Sequence, residues 1–165
     1  MTIIVEDGGQ VSGANSYVSL ADARTLLADY GQDLDADDTI AEQQLLSSMR
    51  YIEAYREQFK GYKLTREQSL QWPRGDVYID GWLSPSDEIP VELPRGQVFA
   101  AYEIANGESL QANDSGRKVS KEKVDVIEVA YFESSATEAS VRYTRVDDEL
   151  SALLDSTSSL TLART

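Results

Sequence analysis

The chain has 165 residues, a length that suits one domain, which at this size buries roughly 70% of its unfolded surface. It carries 29 Asp and Glu against 15 Lys and Arg, a formal net charge of −14, so its surface repels phosphate backbones and anionic membranes over a Debye length of about 8 Å at physiological salt. With neither His nor Cys, it excludes disulfides, thiolate and imidazole metal sites, and Ser-His-Asp or Cys-His nucleophilic catalysis.

Residues 1–16 open with a short apolar run and continue through Gly, Asn and Ser, which reads as a strand or extended arm. This start lacks a basic region and a long apolar stretch, so it does not read as a signal peptide. No apolar run approaches the ~20 residues of a membrane span, and the expectation is a soluble protein made in the cytosol, with no membrane partner. Ser19, with Asp22 three residues on, starts a first helix whose stripe is Leu20, Ala23, Leu26, Leu27 and Tyr30, ended by Gly31. Residues 32–38 are an acidic loop. Asp38 or Thr39 then caps the longest predicted helix, 40–59, in which Leu45, Leu46, Met49, Ile52, Tyr55 and Phe59 repeat at helical spacing, with Lys60 and Gly61 as its end. Thr65 and Gln68 form a second capping box for a short helix over 65–71.

Residues 72–94 hold both tryptophans and all four prolines of the chain. Proline fixes φ and biases the preceding residue toward extended backbone, so this stretch predicts a rigid non-helical corner. Trp72, Pro73, Trp82 and Pro90 are its structural anchors, with both indoles expected to lose most of their exposure on folding or assembly. Helical pattern resumes over 91–106, with Val98, Ala101, Tyr102 and Ala105 on the buried face and Asn106-Gly107 as the stop. Pro94 and Gly96 near its beginning predict a late start or a distorted first turn. Residues 107–116 are a polar loop. Lys118–Lys121 and Val124–Phe132 read as two short strands, and 133–140 as a Ser/Ala/Thr-rich loop. A last helix over 145–154 is carried by Val146, Leu150, Leu153 and Leu154. In the segment 155–165, Leu160 and Leu162 alternate with Ser159 and Thr161, a strand pattern with no partner strand nearby. The expected class is mainly α, a bundle-like domain over 1–154 with a small β-hairpin or sheet insertion and extended termini, followed by a tail over 155–165.

The chemistry-bearing patterns are few. The carboxylate pairs Asp37-Asp38, Asp87-Glu88 and Asp147-Asp148 fall near predicted helix starts, where the dipole stabilises negative charge. Asp33, Asp35 and Asp37 imitate the first ligands of a calcium loop, but Asp38 stands where the turn needs Gly and Gln44 where it needs a bidentate Glu. No metal and no cofactor is expected, and no catalytic residue. Asn113-Asp114-Ser115 matches a glycosylation acceptor, which means little without a secretory signal. The densest basic patch is Arg117, Lys118, Lys121 and Lys123. A scattered set, Arg50, Arg56, Lys60, Lys63, Arg66 and Arg74, lies among Tyr51, Tyr55, Phe59, Tyr62 and Trp72. Aromatics among cations suit base stacking, but helical spacing more often marks a core or subunit contact, and the net charge opposes phosphate.

Leu64 to Arg74, containing Trp72-Pro73-Arg74, together with Ser84-Pro85-Ser86-Asp87-Glu88-Ile89-Pro90, resembles a family of tailed-bacteriophage head–tail connector (adaptor) proteins. Its members are often labelled DnaT-like single-stranded-DNA-binding proteins. Val5-Glu6-Asp7-Gly8, Ala14 to Ala23 and the segment Val119–Val129 extend the resemblance over about 1–154. The resemblance implies a structural subunit and not an enzyme, built into the virion neck after synthesis in the host cytoplasm. It implies a homo-oligomeric ring of about twelve copies, with the portal protein and a tail-side stopper or tail-completion protein as partners and genomic DNA passing through without sequence-specific binding. By position it assigns Leu160, Leu162 and Arg164 to a portal or subunit interface. The alternative is a DnaT-like single-stranded-DNA-binding replication protein. From charge and spacing the expectation is no useful binding of single-stranded DNA at physiological salt.

Overall fold

A computed structural model describes residues 2–107 and 144–155, and the backbone pairing of 123–124 with 127–128. Its helices are α1 (Leu20–Asp29), α2 (Asp38–Ala54), α3 (Glu92–Ala105) and α4 (Thr144–Leu150), the last continued by a 3₁₀ turn over Ser151–Leu153. Between α2 and α3 lie two antiparallel pairs: β1 (Tyr62–Lys63) with β2 (Arg74–Gly75), and β3 (Tyr78–Ile79) with β4 (Trp82–Leu83). A third pair joins β5 (Lys123–Val124) to β6 (Ile127–Glu128). The expected bundle-like class is therefore corrected to a mixed α architecture with small β-hairpins. Among the helices, α1, α2 and α4 each pack on α3.

That central position explains why α3 is buried along much of its length, at Leu93 and through Gly96–Ala101. The helix neither starts late nor distorts. Pro94 sits in its first turn, where the missing N–H has no intrahelical partner to lose. Gly96 is needed for close approach, because a Cβ there would meet Leu150 of α4 at 3.0 Å. Gln97, fully buried, accepts from the Tyr17 backbone N–H at 2.8 Å and donates to Ser16 Oγ and the Leu45 carbonyl. One satisfied amide thus ties the N-terminal arm and α2 to α3, where an unpaired one would cost about 1–3 kcal/mol. Asn106 and Gly107 end the helix as their sequence predicts, Gly107 at φ +86°.

The arm over 2–19 is less a strand than a loop closed around a carboxylate. Val5 makes a single bridge to Ser16, and buried Glu6 accepts backbone N–H bonds from Gly8, Gln10 and Val11. Ser19 caps α1 as expected, accepting from the Asp22 N–H and donating to its carboxylate. Helix α2 differs at both ends from the predicted 40–59. Its cap is Asp37, whose carboxylate accepts from the Thr39 and Ile40 N–H groups. It ends at Ala54 because tighter turns over 55–58 bring Phe59 inward, edge-to-face with Trp72 at 6.0 Å and bridged to Leu154. Burying one large ring outweighs another helical turn on the surface.

The expected helix over 65–71 does not form. The Thr65 N–H still bonds Gln68 Oε1 at 3.1 Å, which is half of the predicted capping box. The Gln68 amide then donates to the carbonyls of Leu70 and Pro73, and so holds a non-helical loop instead. The Trp72–Pro73 peptide bond is cis. Further on, the paired strands both fall near or within the second predicted run, since Val124 pairs with Ile127 and leaves two residues between; the predicted strand Lys118–Lys121 lies outside the described residues. Val146, Leu150 and Leu153 are fully buried as expected, though the helix gives way to a 3₁₀ turn at Ser151.

Candidate nucleic-acid interface

The corner between α2 and α3 is built from the inside out. Trp72 is fully buried, with Pro73 and Pro90 also buried. Its backbone N–H donates to Tyr17 Oη, which donates to the Glu53 carboxylate at 2.8 Å; the same carboxylate accepts from the Gln71 N–H. Burial is the main cause that pushes the Glu53 carboxyl above the usual Glu range, against the hydrogen bonds from Gln71 and Tyr17 and the nearby Lys63. Burial likewise drives the Tyr17 hydroxyl well above its ordinary value, reinforced by the Glu53 charge. These groups join the arm, the end of α2 and the loop before β2.

Arg74 is the second anchor. Its guanidinium donates to the carbonyls of Phe59, Lys60 and Gly61 at 3.3, 2.7 and 2.8 Å and lies 5.9 Å from the Phe59 ring centre. Burial pulls its pKa down from the usual Arg value. Gly61 (φ +66°) must be glycine here, since a Cβ would fall 2.1 Å from the Gly75 carbonyl oxygen.

On this frame four large side chains of β1, β3 and β4 face water. Tyr62 is 60% exposed, Tyr78 53%, Leu83 60% and Trp82 81%. Of the two indoles expected to lose most of their exposure on folding or assembly, Trp72 does so on folding, whereas Trp82, directly after the hairpin turn Asp80-Gly81, stays exposed in the folded chain. Register sorts these side chains. Tyr78 pairs with Leu83, and Ile79 with Trp82, so Tyr78 and Leu83 share one face and Trp82 lies on the other with half-buried Ile79. Tyr62 pairs with Gly75, and its ring covers that glycine. Lys60 Nζ donates to the carbonyls of Tyr78 and Ala152 and so fastens β3 to the C-terminal 3₁₀ turn.

The scattered cations divide accordingly. Arg74 is a buried anchor, Lys60 and Lys63 bond backbone carbonyls, and Arg50, Arg56 and Arg66 are exposed. Among the predicted stacking aromatics, Phe59 and Trp72 are core, and Tyr51 and Tyr55 converge on the Asp147 carboxylate. Tyr62 remains open, joined by Tyr78, which the sequence reading did not select. The signal for Tyr78 was present: Asp-Gly between Val77-Tyr78-Ile79 and Trp82-Leu83 is a two-residue hairpin turn, with Asp80 at φ +51° and Gly81 at +84°. In the acidic loop, Asp35, Asp37 and Gln44 use their oxygens on backbone N–H groups, and among the described residues no group of three or more His, Cys, Asp or Glu is placed to hold a metal. Also among the described residues, no helix is long and apolar enough to cross a membrane. Arg117, Lys118, Lys121, Leu160, Leu162 and Arg164 lie outside the described residues.

Fold and surface together define a small mixed α domain that displays aromatic side chains to solvent from two anchored hairpins. The chain belongs to the family described as "Putative DnaT-like ssDNA binding protein", whose model matches residues 1–165. No curated protein and no solved structure matches it. The family match overturns the head–tail connector reading, because the whole chain falls under a description that names single-stranded DNA and gives the match no phage structural role. The alternative that came with the resemblance, a DnaT-like single-stranded-DNA-binding protein, is the better-supported reading, against the expectation from charge and spacing.

Proposed function

We propose that this protein binds single-stranded DNA at the corner formed by residues 56–83. The observation that carries the reading is the pair of open rings, Tyr62 and Tyr78, held on hairpins whose backbones are fastened by Arg74 and Lys60. Every base has a π-face, so a rigid exposed ring accepts bases without regard to sequence, at about 1–3 kcal/mol per stacked base. Arg56 and Arg66, both exposed, supply the phosphate contacts. The net charge of −14 opposes the phosphate backbone, so stacking carries more of the affinity than in a basic binder. The protein acts by binding, with no reaction and no cofactor.

The test is fluorescence anisotropy of a labelled single-stranded oligonucleotide at several salt concentrations. Binding is expected with a shallow salt dependence, a log–log slope of about −1.4 for two neutralised phosphates. Tyr62→Ala or Tyr78→Ala each weakens binding by roughly 5- to 150-fold. No anisotropy change up to about 100 μM protein, the weak end of non-specific binding, defeats the proposal, as does unaltered binding by both Tyr variants.

A further inference from the structure

Trp82 is left unused by the stacking face, since it stands on the opposite side of the β3–β4 hairpin from Tyr78 and Leu83. An indole 81% exposed on a hairpin tip is a large apolar body held at low conformational cost. The same molecule carries a receptor of matching chemistry. A cleft of about 290 Å³ opens between α1 and α3, lined by Asp22, Thr25, Leu26, Asp29, Tyr30 and Arg95. Leu26 and the 52%-exposed Tyr30 offer the apolar wall, and the Asp29 carboxylate can accept the indole N–H. Arg95 makes no ion pair or side-chain hydrogen bond among the described residues, nor does Asp80 at the hairpin tip, two residues before Trp82. The hairpin tip thus carries an indole and a carboxylate, and the cleft an apolar wall and a cation, beside Asp22 and Asp29.

We propose that the partner for this tip is a second copy of this chain: Trp82 of one copy enters the α1–α3 cleft of the next, with Asp80 against Arg95. Tip and cleft are different surfaces, so the contact is head-to-tail, and each pair of copies keeps one free tip and one free cleft. It is also weak. One aromatic side chain brings about 150–250 Å², well short of the ~1,000 Å² of a stable interface. Free protein therefore associates only at high concentration. Copies set side by side on one strand, as in the binding proposed above, meet at a high effective concentration and bind cooperatively.

The test needs no nucleic acid, so it stands or falls apart from the DNA-binding reading. Sedimentation velocity is run on the wild type, on Trp82→Ala, which lacks the tip, and on Arg95→Glu, which reverses the cleft's cation. The altered side chains are exposed, and unchanged circular dichroism checks that both variants fold. The wild type is expected to form dimers and longer chains as concentration rises toward about 1 mM, while each variant alone associates at least about tenfold more weakly. An equimolar mixture regains association but stops at one heterodimer, because only the Arg95→Glu tip and the Trp82→Ala cleft remain competent. A misfolded variant would not complement. A wild type that stays monomeric throughout overturns the proposal, and so does a mixture no more associated than its components.

Discussion

The two tryptophans lie ten residues apart and have opposite fates. Trp72 is fully buried against Phe59, with its backbone N–H on Tyr17, while Trp82 is 81% exposed on a two-residue turn. Their immediate sequences are similar in character, with turn-forming residues on both sides. The difference is what the neighbouring chain supplies. At Trp72 meet Tyr17 of the arm and Phe59 beyond the end of α2, and Phe59 is in turn bridged to Leu154 near the C-terminal 3₁₀ turn. Around Trp82 there is a hairpin of two residues per strand, too small to cover an indole. A large aromatic is an anchor only where several distant segments meet it; elsewhere it is a surface.

The comparison breaks first if Trp72→Ala is mild. Loss of about 3–5 kcal/mol is expected in urea denaturation, from the buried area and the cavity left behind, whereas Trp82→Ala should stay within about 0.5 kcal/mol. The glycines of the two regions give the next contrast. Gly61→Ala drives a Cβ into the Gly75 carbonyl and should cost at least about 2 kcal/mol. Gly81→Ala meets no atom within 4 Å and should cost only the left-handed backbone penalty, about 1 kcal/mol.

A smaller effect sharpens the picture of the buried side. The folded state raises the Glu53 carboxyl above its unfolded value, so the folded protein holds that proton more tightly. Stability from this group therefore falls as pH rises from the unfolded value, 4.5, through the raised folded one. Glu53→Gln keeps an oxygen for the Tyr17 hydroxyl and the Gln71 N–H without the buried charge. Its melting temperature should exceed the wild type's at neutral pH, and the gain should vanish below pH 4.5. A gain that persists at low pH would show that packing, and not charge, is responsible. Last, acrylamide should quench Trp82 freely in the folded protein and leave Trp72 dark to it; in Trp82→Ala the remaining emission should be blue-shifted and protected.

The sequence by itself determined the features that depend on a few adjacent residues. The Ser19 cap with Asp22, the stop at Asn106-Gly107 and the buried stripe of Leu45, Met49 and Ile52 were all legible, because a cap or a 3.6-residue period is written within one or two turns. The Asp80-Gly81 hairpin is equally local, a two-residue turn between short apolar runs. Tertiary structure alone decided the rest. Thr65 and Gln68 make one bond of their capping box, yet the loop they hold is not a helix, because Gln68 also binds the carbonyls of Leu70 and Pro73. Helix α2 stops at Ala54 although its pattern continues to Phe59, because that ring is worth more against Trp72 and Leu154 than on one more turn. Arg74 looks like a candidate phosphate contact in the sequence and is a buried clamp on three carbonyls in the fold. Burial is a sum over segments far apart in the chain, and no local pattern reports which side chains those segments will cover.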